Sequence, residues 1–299
     1  MTTFTDAGTF PNMLGHLTAF LFAFCALIGG AWAIDAWVIP KIRGFIRRDK
    51  APPRPEKRHQ FALNSAHEKD YDLVYEPKKA IDFYDAIAER YDARQSDNVI
   101  KTHYEVIEAI RKLLDSTHHF NILDLGGGTA EIAEHLGTRD NLTWYYVDAS
   151  SKMADRATFN LRCAHMEKKF ATATVETQLD VLIKGEVHFT AIIMSWLLSS
   201  LSNDISFRKL AKLLESNGQL IVTDGHPENL DRFPLYGIDI GGKKVALRLR
   251  KILPERVITT ARRAGLGLQG DTKTIFKPDG LPYGFLQVYG AVYPHDLEA

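Results

Sequence analysis

Three adjacent glycines, Gly126, Gly127 and Gly128, follow the apolar run "ILDL" and precede the helical pattern "TAEIAEHLG". Glycine lacks a Cβ and tolerates left-handed dihedrals, so such a turn lets the backbone approach a ligand closely. The helix start that follows offers free N–H groups, which suit a pyrophosphate or a carboxylate. Two acids flank the loop. Asp124 lies two residues before Gly126, placed to accept loop N–H groups or to attract a cationic ligand. Asp148 ends the run "TWYYVD", at the distance of about 20 residues where an acid accepts both hydroxyls of a ribose. Its alternative role is to cap the helix that starts near Ser150. His226, directly after the run "QLIVTDG", is a candidate general base for an oxygen or nitrogen nucleophile, with Asp224 orienting it or capping the loop.

Two common nucleotide loops do not fit. In the dinucleotide fingerprint G-x-G-x-x-G/A, read from Gly126, the last position falls on Glu131, whose charge would repel a pyrophosphate but tolerate a ligand carrying an ammonium. No lysine follows the glycines, which excludes a P-loop. A nicotinamide-dependent oxidoreductase is therefore the weaker reading.

The elements that must position these residues alternate. "KAIDFYDAIAERYDARQSD" reads as a helix ending near Tyr91, with Ile81, Tyr84, Ile87 and Tyr91 along one face. A second helix follows, with Val106, Ile107, Ile110, Leu113 and Leu114 inward. "HFNILDLG" is a buried strand, "LTWYYVDAS" the next, and "SSKMADRATFNLRC" a helix. "KKFATATV" is a weaker strand, and "VHFTAIIMSWLLSSL" begins as a strand and turns into loop near Trp196. "SFRKLAKLLESNG" predicts a helix ending at Gly218, "QLIVTDG" a buried strand and "PERVITTARRAGL" a late helix. "TKTIFKPDG" and "YGFLQVYGAVYP" read as a closing antiparallel hairpin. Strands alternating with helices imply an α/β fold with a mostly parallel sheet, helices on both faces, and ligands at the carboxyl ends of the strands. Residues 228–252 look like an insertion on the substrate side, a hairpin or lid.

With these motifs in order, the chain resembles the class I S-adenosylmethionine-dependent methyltransferases of small-molecule or lipid type over about residues 80–295. "ILDLGGGTAEIA" is similar to the family's first motif and "WYYVDASSKMADRA" to its second. "FTAIIMSWLLSSL" and "LAKLLESNGQLIVTDG" resemble the fourth- and fifth-strand motifs, and "YDAIAERYDARQSD" the N-terminal lid helix. The resemblance implies a doubly wound, Rossmann-like, seven-stranded sheet and S-adenosylmethionine as cofactor. It assigns the methionine part to Gly126, Gly127 and Gly128 with Asp124 supporting the loop. Ribose goes to Asp148, adenine to Ala149 and Met153, and the methyl-transfer centre to Ser195 and Trp196. Tyr91 closes over the cofactor. Three positions depart from the family: Ala130 replaces the loop's third glycine, Thr190 replaces a frequent acid, and no clear acid follows the third strand, where Thr174 or Glu176 is the substitute. The alternative from another class is a non-catalytic protein of the same fold that scaffolds a membrane complex.

The N-terminal part has a different composition. No charged side chain occurs from Ala7 to Ile34, and Lys41, Arg43, Arg47, Arg48 and Lys50 follow. About 20 apolar residues suffice to span a bilayer, and basic residues mark the cytoplasmic flank. A signal peptide would need a basic start, which is absent. The expectation is an N-terminal tail at 1–12, a transmembrane helix at 13–39, a basic, proline-rich linker at 40–75 and a cytoplasmic methyltransferase domain at 76–299. A membrane anchor favours a lipophilic small-molecule or lipid-like acceptor. With 37 basic and 37 acidic residues there is no field to attract nucleic acid. Cys25 and Cys163 have no metal-like spacing and fit a reducing compartment.

Overall fold

Five strands pair side by side, all in one direction: β3 (Phe120–Leu125), β4 (Leu142–Asp148), β5 (Glu167–Thr172), β6 (Phe189–Ser195) and β7 (Leu214–Gly225). The computed structural model describes residues 5–6, 67–92, 97–114, 118–137, 139–162 and 164–292. β12 (Pro282–Ala291) joins β7 antiparallel, and β10 (Leu266–Leu268) and β11 (Lys273–Phe276) both pair antiparallel with β12. The sheet order is β1-β5-β4-β3-β6-β7-β12-β10, with β1 (Thr5–Asp6) antiparallel on the β5 edge. The expected seven strands are present, with β11 and β12 as the closing hairpin, and the short β1 and β10 extend them to nine.

From β3 the chain runs outward to β4 and β5, then returns to the other side of β3 as β6 and β7. The reversal creates a crevice at the carboxyl ends of β3 and β6, where open α/β sheets bind ligands. Both faces of the sheet are covered. One face packs α5 (Val175–Lys184), α6 (Phe207–Leu213) and α8 (Pro254–Arg263) against Leu123, Leu125, Ile192 and Val222. The other packs α2 (Asp97–Leu113), α3 (Glu131–Leu136) and α4 (Ser151–Asn160) against Ile122, Trp144, Tyr146 and Ile193. On α2, Val106, Ile107 and Ile110 are buried as their spacing predicts.

Three elements differ from the sequence expectation. The helix expected to run to Gly218 stops at Leu213, and β7 begins at Leu214. A side chain at position 218 would meet the Phe189 carbonyl at 2.6 Å, so this glycine marks a close approach of two strand backbones. α5 lies in a stretch given no helix, and Thr174 caps it by accepting from the Thr177 N–H. Secondary structure also reaches back into the expected linker: β2 (Leu73–Tyr75) pairs parallel with β9 (Lys243–Arg248), which pairs antiparallel with β8 (Leu235–Ile240). The hairpin expected within 228–252 is therefore two thirds of a second, three-stranded sheet.

That small sheet packs on α1 (Ala80–Ile87). Phe83 and Ile87 on α1 meet Met153, Ile238, Val245 and Leu247. The face expected to hold Ile81, Tyr84, Ile87 and Tyr91 together is divided: Ile87 enters this cluster, whereas Ile81 is 42% exposed. Among the described residues no helix is long and apolar enough to cross a membrane. The expected transmembrane helix at 13–39 lies outside them, as do Cys25, Cys163, most of the tail and the linker before residue 67.

Phe83 is fully buried and makes edge-to-face contacts with Tyr75, Tyr84 and Tyr236 at centroid distances of 5.4–5.7 Å. Phe83→Ala should cost about 3–5 kcal/mol in denaturant unfolding. A loss below ~1 kcal/mol would mean that this cluster does not hold α1 in place.

Candidate functional site

The glycine loop hangs from β4. Gly126 and Gly127 donate their N–H groups to the Val147 carbonyl at 2.8 and 3.2 Å, and the Tyr146 hydroxyl donates to the Gly128 carbonyl at 2.6 Å. The third loop amide, Gly128 N–H, donates to Asp148 Oδ2 at 2.9 Å. Gly126 and Gly128 have φ of +68° and +55°, the left-handed region that favours glycine. Open space faces Gly128, so its backbone is accessible to a ligand. Gly127 needs its missing Cβ for another reason: a methyl there would lie 2.8 Å from both Asp124 Oδ2 and the Tyr146 ring. Ala130, in place of the third glycine, keeps a left-handed backbone at φ +61° and is fully buried.

Asp148 has two local tasks. Oδ2 holds Gly128, and Oδ1 accepts from the Ser150 N–H at 2.8 Å. Ser150 in turn caps α4 by accepting from the Met153 N–H at 3.1 Å. The ribose and capping roles considered for Asp148 are thus compatible, since each carboxylate oxygen keeps a second lone pair. Asp124 does not support the loop through hydrogen bonds as expected. The loop amides are taken by Val147 and Asp148, and Asp124 Oδ2 is buried without a partner among the described residues.

A cavity of about 320 Å³ opens at these strand ends, which is the size of a site for one drug-sized ligand. Gly126, Gly128, Asp148 and Ala149 line it, together with Met153, Ser195, Trp196 and Tyr91. A smaller cavity of about 30 Å³ lies behind the loop, and Asp124 and Gly127 line only that one. Tyr91, Ser195 and Trp196 border both. Trp196, at the tip of β6, has φ +56°, a strained conformation for a bulky residue, and its ring packs on Tyr283 at 5.2 Å.

His226 borders neither cavity. It is the N-cap of α7 (Pro227–Arg232), where Nδ1 accepts from the Glu228 N–H at 3.3 Å. The chain turns at Pro227 and engages the imidazole locally. Asp224 does not orient it either. Its carboxylate accepts from Ser199 N–H at 2.9 Å and Gly225 N–H at 2.7 Å, tying the loop after β6 to the end of β7.

Several residues were not singled out from the sequence. Ser200 bonds the Tyr84 hydroxyl at 2.9 Å, joining α1 to the loop after β6. The Ser150 hydroxyl donates to Asp85, and Arg156 and Asn160 donate to Asp92, fixing the end of the α1 region to α4. His103 faces Glu131 at 3.2 Å, a pair 28 residues apart in sequence. Thr174 and Glu176, proposed as substitutes after the third strand, do line the larger cavity, with Val175 between them.

Solved structures share this architecture. The chain superposes on the N-methyltransferase NodS of Bradyrhizobium japonicum, in complex with S-adenosylhomocysteine, with a TM-score of 0.50 at 14% identity, covering 73% of this chain and 99% of that one. Magnesium protoporphyrin IX methyltransferase of Synechocystis, with bound S-adenosylmethionine, gives 0.50 at 13% identity over 72% and 97% of the two chains. The CcbJ methyltransferase of Streptomyces caelestis gives 0.50 at 17% identity over 71% and 98%. The fold is that of S-adenosylmethionine-dependent methyltransferases. No protein-family model matches the sequence, and no curated protein matches it either.

In this methyltransferase fold the crevice is strongly acidic. Burial, reinforced by the Asp148 charge, pushes the Asp124 carboxyl up to about 7, with the Trp144 indole working against the shift. Burial pushes Asp148 up to about 6, opposed by its bonds from Ser150 and Gly128. Tyr84 rises to about 12, chiefly through burial.

Asp124 generates a stability test. Its folded-state value exceeds the ordinary 3.8, so the folded chain holds a proton that the unfolded chain has released. Its contribution is therefore full below pH 3.8 and is lost as pH rises through about 7. Asp124→Asn should raise unfolding stability at pH 8 by at least ~1 kcal/mol, and less at pH 5. Equal effects in denaturant melts at both pH values would refute a carboxyl whose proton is held by burial.

Proposed function

We propose that this chain transfers a methyl group from S-adenosylmethionine to an oxygen, nitrogen or carbon nucleophile of a small, lipophilic molecule. The observation that carries the reading is the convergence of the glycine loop, Asp148, Ser195 and Trp196 on one cavity at the switch point of a methyltransferase fold. The residues present fit the cofactor. Gly128 leaves open backbone for the amino-acid part, and the buried Ser195 Oγ has no partner among the described residues. Asp148 would accept the ribose hydroxyls, and Ala149 and Met153 would flank adenine, with Thr174–Glu176 at its rim. Asp124 supplies negative potential toward a cationic ligand.

When bound, the cofactor supplies an electrophilic methyl group next to a positive sulfur. The chain's share of the work is positioning and exclusion of water. α1 closes the cavity with Ala80, Ile81 and Tyr84, and the Tyr84–Ser200 hydrogen bond fixes that closure. No histidine lines the larger cavity among the described residues. Tyr84 holds its proton to about 12, so it is no base near neutrality. An acceptor whose nucleophilic atom needs little activation, such as an amine or an acidic hydroxyl, suits this lining best.

Calorimetry with S-adenosylhomocysteine tests this directly. Wild type should bind, and Asp148→Ala should bind at least tenfold more weakly. The ionised carboxylate is the form that accepts hydroxyls. With its value in the empty site at about 6, affinity should fall about tenfold per pH unit below that point and stay flat above pH 7. No heat with either chain favours the non-catalytic scaffold.

The uncharged run before Asp35 and the basic residues after it support a single-pass anchor at 13–39 with the domain in the cytoplasm. Full-length chain should remain with membranes after carbonate extraction. Release into the supernatant would overturn the anchor and leave the methyl-transfer reading untouched.

A further inference from the structure

The larger cavity has a stretch of wall that the cofactor assignment does not use. Tyr84 on α1 and Ser200 in the loop after β6 meet at 2.9 Å, and both line the cavity. From that bond each segment continues along it. α1 and the turn before it contribute Ile81, Ala80 and Lys78, and the loop contributes Leu201, Ser202 and Asn203. Tyr84, Ile81 and Lys78 are spaced by three, which sets them above one another on one helical face. Ile81, Ala80 and Leu201 make this wall largely apolar, and charge enters with Lys78. Its side chain is exposed, and the acid nearest in sequence, Glu76, is engaged by Arg248 at 3.1 Å. A lysine stem covers apolar surface while its ammonium stays at the water boundary. Lys78 therefore presents a cation at the rim of an apolar wall. Lys79 is equally exposed but does not line the cavity.

We propose that the methyl acceptor is an apolar carboxylic acid, and that Lys78 selects it by pairing with its carboxylate while Ile81 and Leu201 hold its hydrocarbon or aromatic body. This deepens the methyl-transfer reading above and rests on it. Asp148 and Glu176 line the same cavity, so a doubly charged phosphate is repelled more strongly than a singly charged carboxylate. Ser202 and Asn203 on the loop add a hydroxyl and an amide that can donate to the same group. Along α1, Lys78 stands about 9 Å from Tyr84 at ~1.5 Å per residue. That length of wall accommodates the apolar body. Lys78 is thus a specificity residue and has no part in the methyl-transfer centre at Ser195 and Trp196.

Two probes of one shape test this by calorimetry on the full chain saturated with S-adenosylhomocysteine at about pH 8, where a carboxylate and a lysine are both charged. 2-Naphthoate carries the charge and 2-naphthamide does not. Wild type should bind the naphthoate about fivefold more tightly, the scale of one exposed ion pair, and the preference should shrink at high salt. Lys78→Met should bring the two probes within about twofold of each other and leave the affinity for S-adenosylhomocysteine unchanged. Lys78→Arg should keep the preference, and so should Lys79→Met. A loaded wild-type chain that binds both probes equally, or neither, overturns the proposal. A preference that survives Lys78→Met, or that falls as far with Lys79→Met, overturns it too. A chain that does not bind S-adenosylhomocysteine overturns the cofactor reading beneath it.

Discussion

One carboxylate organises the crevice. Asp148 reaches sideways to Gly128 and forward to Ser150, so the glycine loop after β3 and the start of α4 are set by the same side chain. Everything else at the strand ends takes its place from that bridge. The Tyr146 hydroxyl locks the loop carbonyl, Ser150 caps α4 and reaches Asp85, and the α1 region is fixed to the edge of the cavity. A hydrogen bond to a carboxylate is worth more than a neutral one. The bridge is therefore strong where two independent turns must share one geometry.

The same region concentrates carboxylates. Asp124, Asp148 and Glu131 border the two cavities, and among the described residues Lys78 is the one lysine or arginine that lines either. A site that only had to be stable would pair or remove such carboxylates. Retaining them raises the energy of the empty chain, and a cationic guest recovers it. The strained backbone of Trp196 and the left-handed Ala130 add to this picture, because strain of this kind gathers where a site is over-determined by its surroundings.

Much of this was legible in the sequence. The parallel strands were visible as apolar runs, and the loop, Asp148, Ser195 and Trp196 could be placed because strand tips follow directly from strand ends. What escaped depended on tertiary contact. Asp124 looked like the support of the loop because it is near in sequence, yet Val147 and Asp148 take the loop amides across the strand pair. His226 stood at the right edge of the sheet, but Pro227 starts a helix at once and the imidazole becomes its cap. The His103–Glu131 pair has no local signal at all. The helix overrun into 214–218 arose from helix-forming residues that β6 pairing overrides.

The small sheet over α1 has a consequence for how the chain is made. Its parallel pair joins Leu73–Tyr75 to Val245–Leu247, and the Asp72 carboxylate accepts the Lys244 N–H across 172 residues. Contacts of such separation bear the largest loop-closure cost and form slowly. On the ribosome the strands that carry the glycine loop and Asp148 emerge long before β8 and β9. A nascent chain thus holds a crevice without its cover, and β2 has no partner until β9 arrives. The order of synthesis leaves an unpaired strand and the apolar side of α1 waiting together, which makes this corner the place where a folding helper or an aggregation fault would first act.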